Sequence, residues 1–230
     1  MTPIALAVLD MAGTTVSDDG VVEAAFVAAL GSVGIGADHP ALAGDLAYVR
    51  ATMGRSKIEV FRELIGDEDG AQRANRAFEA AVDEAVAAGA VHALPGAEAA
   101  LAELRADGVA VCLTTGFSAS TRDLIVAHLG WAGLVDLVLA PEPGVRGRPH
   151  PDLVLTAVLR LGVDDVRAVA VAGDTANDLL AGWRAGASIV AGVLTGAHRR
   201  EELEAAPHTH VLGSVADLPA VVRAQGGRAG

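Results

Sequence analysis

Asp10 closes the apolar run Ile4 to Leu9 and is followed by Met11-Ala12-Gly13-Thr14-Thr15. A carboxylate there, beside a glycine that allows close backbone approach and two hydroxyls, suits a nucleophile and a ligand of Mg²⁺. On this stretch alone, an Asp opening an ordinary βα turn accounts for the residues equally well. Three later stretches change the weighting. Thr114-Thr115-Gly116-Phe117 follows the run Val109 to Leu113, and Gly173-Asp174-Thr175-Ala176-Asn177-Asp178 follows Val166 to Ala172. Arg148 lies between them in Gly147-Arg148-Pro149-His150-Pro151-Asp152. Carboxylates from two stretches suit Mg²⁺, which takes oxygen ligands and keeps several waters. A hydroxyl and an Arg suit the oxygens of a phosphoryl group. Each piece has a plainer reading: Thr114 as a strand end, Arg148 as a solvated loop charge, Asp174 and Asp178 as helix caps. Their arrival in order, each at the end of an apolar run or in a loop after it, makes coincidence a poor account.

Of the 17 basic residues only Lys57 is a lysine, and the rest are arginine. An ammonium can lose its proton and become a nucleophile, whereas a guanidinium cannot. A single surviving lysine is a candidate for that chemistry, although one lysine must also fall somewhere by chance.

These residues need elements that bring them together. Short apolar runs bounded by turn residues predict strands buried on both faces of a parallel sheet. All their carboxyl ends meet one edge, where open α/β sheets bind ligands. Helical patterns cover Val21 to Val33, Ala41 to Met53, Lys57 to Ile65 and Ala71 to Ala88, with Asp67 to Gly70 read as a solvated turn. No convincing strand falls in that block. From Gly96 onward strands and helices alternate, which predicts βαβ units. The expected fold is α/β, with residues 1–17 and 93–230 forming the sheet core and residues 18–92 an inserted all-helical unit.

The composition narrows the partners. Hydrophobic residues make up 52% of the chain, yet no apolar span nears the roughly 20 residues of a membrane helix. A net charge of −12 disfavours nucleic acid and anionic membranes. Cys112 is the only cysteine and sits in an apolar run, so it reads as an inert core residue in a cytoplasmic protein. The first residues lack the basic region of a signal peptide. His208 and His210 lack a third ligand nearby and read as flanking a surface strand.

The series DMAGTTV, LTTG, GRPHPD and GDTANDLLAG resembles the haloacid dehalogenase superfamily of phosphoryl-transfer hydrolases. The resemblance implies a Rossmann-like core, with residues 18–92 as a helical cap. It implies that Asp10 becomes an aspartyl phosphate, and that Asp10, the Ala12 carbonyl, Asp174 and Asp178 form or support an Mg²⁺ site. It assigns Thr114 and Arg148 to phosphoryl oxygens, and places Thr14, Thr115, Gly116 and Met53 at the substrate. A small phosphonate or phosphate substrate and a homodimer through the cap are further expectations.

Within that superfamily the chain resembles the phosphonoacetaldehyde hydrolases, or phosphonatases. Most phosphatases of the superfamily carry a general-acid Asp where this chain has Ala12, and a phosphate ester needs its leaving alkoxide protonated. Phosphonatases share D-x-A-G-T, use Arg at the position of Arg148, and carry M-G-x-x-K, here Met53-Gly54-Arg55-Ser56-Lys57. Their lysine forms a Schiff base with an aldehyde, and the iminium accepts the electrons of a breaking C–P bond. A free lysine of pKa ~10.4 is neutral in only about one molecule in 2,500 at pH 7, so burial or a neighbouring cation such as Arg55 is expected to help. Two positions depart from the phosphonatase pattern: Val60 stands where a His is usual, and Phe117 where a Tyr is usual. The leading expectation is hydrolysis of a 2-oxoalkylphosphonate. The alternatives are a phosphatase for a small phosphate ester and, in another class, an inactive phospho-ligand-binding protein. Haloalkanoate dehalogenation does not call for the Mg²⁺-type carboxylates.

Overall fold

The computed structural model describes residues 2–17 and 20–226. Strand β1 (Leu6–Asp10) is buried along its whole length, as expected of an apolar run inside a parallel sheet. A two-residue strand, β2 (Val16–Ser17), follows. Four helices come next: α1 (Val21–Gly31), α2 (Leu42–Ala51), α3 (Lys57–Ile65) and α4 (Glu68–Ala87). The chain returns through β3 (His92–Ala93), which pairs antiparallel with β2. The expected lower boundary of the helical unit, residue 18, lies outside the described residues, as do Met1 and residues 227–230.

The rest alternates as the sequence predicts. It runs through α5 (Ala97–Ala106), β4 (Ala110–Thr114), α6 (Ala119–His128), β5 (Leu137–Leu139) and α7 (Asp152–Arg160). Next come β6 (Val169–Gly173), α8 (Ala176–Ala185), β7 (Ile189–Val193), α9 (Arg200–Glu204), β8 (His210–Leu212) and α10 (Leu218–Gly226). The sheet is parallel, in the order β5-β4-β1-β6-β7-β8. The chain builds outward from β1 on one side, then crosses back to build on the other. β1 therefore sits at the topological switch, where the crevice of an open α/β sheet lies.

Alternation along β1 divides the core. Ala7 and Leu9 face a cluster shared with Leu101 and Leu104 of α5, Ile125 of α6 and Leu218 of α10. Leu6 and Val8 face Leu153, Val154 and Ala157 of α7. The first cluster also runs into the helical block through Phe26, Val60, Phe61 and Phe78, so the block is packed onto the sheet unit.

Two differences from the sequence reading have simple causes. The expected turn over Asp67 to Gly70 is mostly the first turn of α4, because the Asp67 side chain accepts from Gly70 N at 3.1 Å and caps the helix. Glu68 and Asp69 then sit at the positive end of the helix dipole. The expected strand from Val166 begins at Val169, after a 3₁₀ turn whose start is capped by Asp165.

Candidate active site

The carboxyl ends of β1 and β6 bring three acids together. Asp10 is the last residue of β1, Asp174 follows β6, and Asp178 lies in the first turn of α8. All three are buried, and one carboxylate oxygen from each lies within 4.8 Å of the others. Arg148 reaches into this group, its Nη1 donating to both Asp10 and Asp178. The second Asp178 oxygen accepts from Thr175 N at 3.1 Å and from the Thr175 hydroxyl, in a reciprocal cap of α8. Asp178 is thus both a helix cap and a counter-ion of Arg148.

Three acids against one guanidinium leave a buried excess of negative charge. Burial pushes Asp10 up from 3.8 to about 6, with Arg148 pulling down and Asp178 pushing up. Asp174 is held well above the ordinary carboxylate range, by burial first and then by Asp10 and Asp178. Burial works against the charge on Arg148, but Asp10 and Asp178 outweigh it and keep the guanidinium protonated.

The backbone is drawn tightly round Asp174. Ala197 N donates to its Oδ2 at 2.6 Å, and a Cβ on Gly13 or Gly196 would fall 2.5 or 2.0 Å from that oxygen. Gly13 has φ 80°, a conformation that disfavours any side chain in its own right. Thr195 Oγ1 donates to Gly13 O at 2.7 Å and ties the two loops together. A buried all-oxygen donor set carrying excess negative charge, cradled by glycine backbone, fits Mg²⁺. Asp10 and Asp174 are the residues that would hold it, with Asp178 behind them.

Lys57 comes from the helical block. It opens α3, is 8% exposed, and lines the same cavity of ≈ 460 Å³ as Asp10, Ala12, Arg148 and Asp174. Its backbone N donates to Gly116 O at 3.2 Å. Its Nζ lies 5.6 Å from the ring centroids of both Phe26 and Phe117. Those rings belong to a cluster holding all four phenylalanines of the chain: Phe26 to Phe61 at 5.1 Å, Phe26 to Phe78 at 4.8 Å and Phe78 to Phe117 at 6.2 Å. Val60 is buried in the same core cluster.

The loop before Lys57 is fitted against the sheet edge. Met53 O accepts from Asn177 Nδ2 at 2.7 Å. A Cβ on Gly116 would fall 2.3 Å from Arg55 O, and one on Gly54 2.7 Å from the Thr175 hydroxyl. Two glycines, one on each side, let these backbones meet.

Several expected residues stand elsewhere than the sequence reading put them. Thr114 does not line the cavity: its hydroxyl is turned back to Leu9 O at 3.4 Å, and Thr115 stands on the wall with Gly116 and Met53. Thr115 accepts from Phe117 N at 3.1 Å, so its own proton is left to donate. Thr14 is fully buried, off the cavity wall, and its hydroxyl has no partner among the described residues. Arg55 is turned away from Lys57 and forms a bidentate pair with Glu63 at 2.9 and 2.7 Å. Two charged wall residues escaped the sequence reading altogether, Glu23 of α1 and Arg50 of α2, which pair with each other, as did the loop residues Thr195, Gly196 and Ala197.

The model of the haloacid dehalogenase-like hydrolases matches residues 4–186. The chain belongs to that family. This haloacid dehalogenase-like hydrolase is 29% identical over 207 residues to a probable phosphatase IndB of Dickeya dadantii, a match covering 87% of this chain and 86% of that protein. It is 32% identical over 153 residues to a phosphonoacetaldehyde hydrolase of Pseudomonas fluorescens, covering 56% of this chain and 55% of that one. The aligned part thus spans about half the length of that relative. Among solved structures, a hydrolase from Pseudomonas syringae superposes with a TM-score of 0.80 at 24% identity, covering 96% of this chain and 98% of the other, which shows the shared fold. No helix among the described residues is long and apolar enough to cross a membrane.

Proposed function

We propose that this hydrolase cleaves the C–P bond of a 2-oxoalkylphosphonate, phosphonoacetaldehyde or a relative, with Lys57 and Asp10 acting from opposite walls of one cavity. The observation that carries the reading is the placing of the sole lysine, largely buried, in the cavity that also holds Asp10 and Arg148. In this reading α1 to α4 act as a cap that presents the amine to the sheet edge.

The Lys57 amine adds to the substrate carbonyl and loses water, giving an iminium. An Asp10 oxygen attacks phosphorus, and the C–P bond breaks with its electron pair entering the iminium to form an enamine. Asp10 is then an aspartyl phosphate. A proton taken up at carbon turns the enamine into a new iminium, and water releases the carbonyl product and restores the amine. Another water hydrolyses the aspartyl phosphate and restores Asp10. Arg148 and Thr115 offer donors to the phosphoryl oxygens. Bound Mg²⁺ supplies charge neutralisation at those oxygens and at the buried acids. Ala12 fits this scheme, because an enamine leaving group needs no alkoxide protonation.

The similarity to a probable phosphatase along most of the chain favours a second reading, hydrolysis of a small phosphate ester. Borohydride reduction during turnover of phosphonoacetaldehyde separates the two. The expected result is the carbonyl fragment fixed on the peptide bearing Lys57. Phosphate release without any such adduct sinks the Schiff-base reading and leaves the phosphatase.

A further inference from the structure

The cavity has a charged wall that the proposed reaction leaves unused. Glu23 and Arg50 both line it, and they meet as a bidentate pair: Nε to Oε2 at 2.9 Å and Nη2 to Oε1 at 2.5 Å. This geometry fixes the guanidinium plane from one edge and leaves the Nη1 amino group without a protein partner among the described residues. The Arg50 side chain is 58% exposed, so a ligand in the cavity can reach it. The other guanidinium of the cavity, Arg148, pairs through Nη1 with Asp10 and Asp178 and is a donor that the proposed reaction assigns to the phosphoryl group. The cavity is also lined by the apolar side chains of Val22, Met53 and Phe117. A cavity of ≈ 460 Å³ also leaves room beyond a two-carbon phosphonate.

We infer that Arg50 is a specificity-determining residue, oriented by Glu23, that binds a carboxylate at the carbon end of the substrate. The preferred substrate is then a dianionic type of molecule, with a phosphonate or phosphate at one end and a carboxylate at the other, joined by a short apolar chain. A guanidinium with an open edge presents donors in the geometry a carboxylate accepts. The inference rests on the phosphoryl-group reading of the Asp10 end, but not on which bond is cut.

Calorimetric titration of the full-length protein with Mg²⁺ tests it, using two unreactive probes of equal chain length, 3-phosphonopropionate and propylphosphonate. The wild type is expected to bind the carboxylated probe at least about tenfold more tightly, equivalent to about 1.4 kcal/mol. In Arg50→Gln and in Arg50→Ala the ratio is expected to fall to about twofold or less, through weaker binding of the carboxylated probe alone. Binding of propylphosphonate reports that each variant is folded. Equal binding of both probes by the wild type, or a preference surviving in both variants, overturns the assignment of Arg50 and leaves the Asp10 end untouched. If neither probe nor inorganic phosphate binds the wild type, the phosphoryl-group reading itself fails and this inference falls with it.

Discussion

The two walls of the cavity are built on opposite principles. At the sheet edge Asp10, Asp174, Asp178 and Arg148 crowd charged groups into a buried space, and burial raises the pKa of Asp10 and Asp174. On the helical side the Lys57 amine lies near the Phe26 and Phe117 rings, Val60 is buried among apolar side chains, and the charged groups are partly exposed pairs, Glu23 with Arg50 and Arg55 with Glu63. The first wall concentrates charge to handle an anionic group. The second sets aromatic rings beside the amine and leaves its own charged pair, Glu23 and Arg50, open to solvent. Apolar rings beside Asp10 would leave its charge without support.

The sharpest way to break this division is to disable one wall and ask what the other still does. Asp10→Asn removes the phosphoryl acceptor on either reading, and phosphate release is expected to fall by at least about 10³-fold in a folded protein. The same substitution has an opposite effect on the fold. The raised pKa of Asp10 means that the folded state favours its protonated form, so its contribution to stability is present below pH 3.8 and is lost as pH rises through about 6. In chelator at pH 7.5, Asp10→Asn is therefore expected to unfold later than the wild type, by about 1 to 3 kcal/mol in denaturant titration. The two curves should converge below pH 4. A wild type that is the more stable of the two at pH 7.5 would show that the charged wall is not strained.

Lys57→Arg tests the other wall. It keeps a positive charge but cannot condense with a carbonyl. Phosphate release from a 2-oxoalkylphosphonate is expected to drop by about 10³-fold or more, whereas turnover of phosphate esters should stay within a few-fold. Parallel loss on both substrate types would mean that Lys57 serves the anionic end instead. Exhaustive chelation, or Asp174→Ala, should remove most phosphate release, with Mg²⁺ restoring the wild type but not the variant. Unchanged turnover after chelation would take the metal out of the scheme. The smallest effect is expected from Phe117→Tyr, which adds a hydroxyl beside Lys57. A change of a few-fold in kcat, with a shifted pH profile, would show that the apolar wall tolerates a proton carrier.

Much of the sheet edge was legible in the sequence because period and punctuation agree there. Asp10 and Asp174 each come at the end of an apolar run too short for a helix, with a glycine close by, Gly13 after the first and Gly173 before the second. Helix α3 begins at Lys57 as read, because Gly54 breaks the pattern before it. What sequence could not supply was convergence. Phe26, Phe61, Phe78 and Phe117 each read as one apolar residue in a helix or loop, and nothing in their spacing says that their rings meet. Thr115 rather than Thr114 reaches the cavity because the last strand residue turns its hydroxyl back to β1, a choice made by tertiary contact. The Glu23–Arg50 pair joins two helices across a stretch with no period connecting them. The strands β2 and β3 are two residues long and carry no pattern at all.

That short ladder has a consequence for how such a chain can vary. Val16 pairs with Ala93 and Ser17 with His92, and Leu94 N donates to Thr15 O at 3.0 Å, so the chain leaves and re-enters the sheet unit at one point. The free energy of closing a loop grows only with the logarithm of its length. Once the two ends are clasped, the number of residues between them matters little to the strands on either side. Insertions or deletions between α1 and α4 can therefore resize the cavity while Asp10, Arg148 and Asp174 keep their places, and substrate preference can drift independently of phosphoryl chemistry.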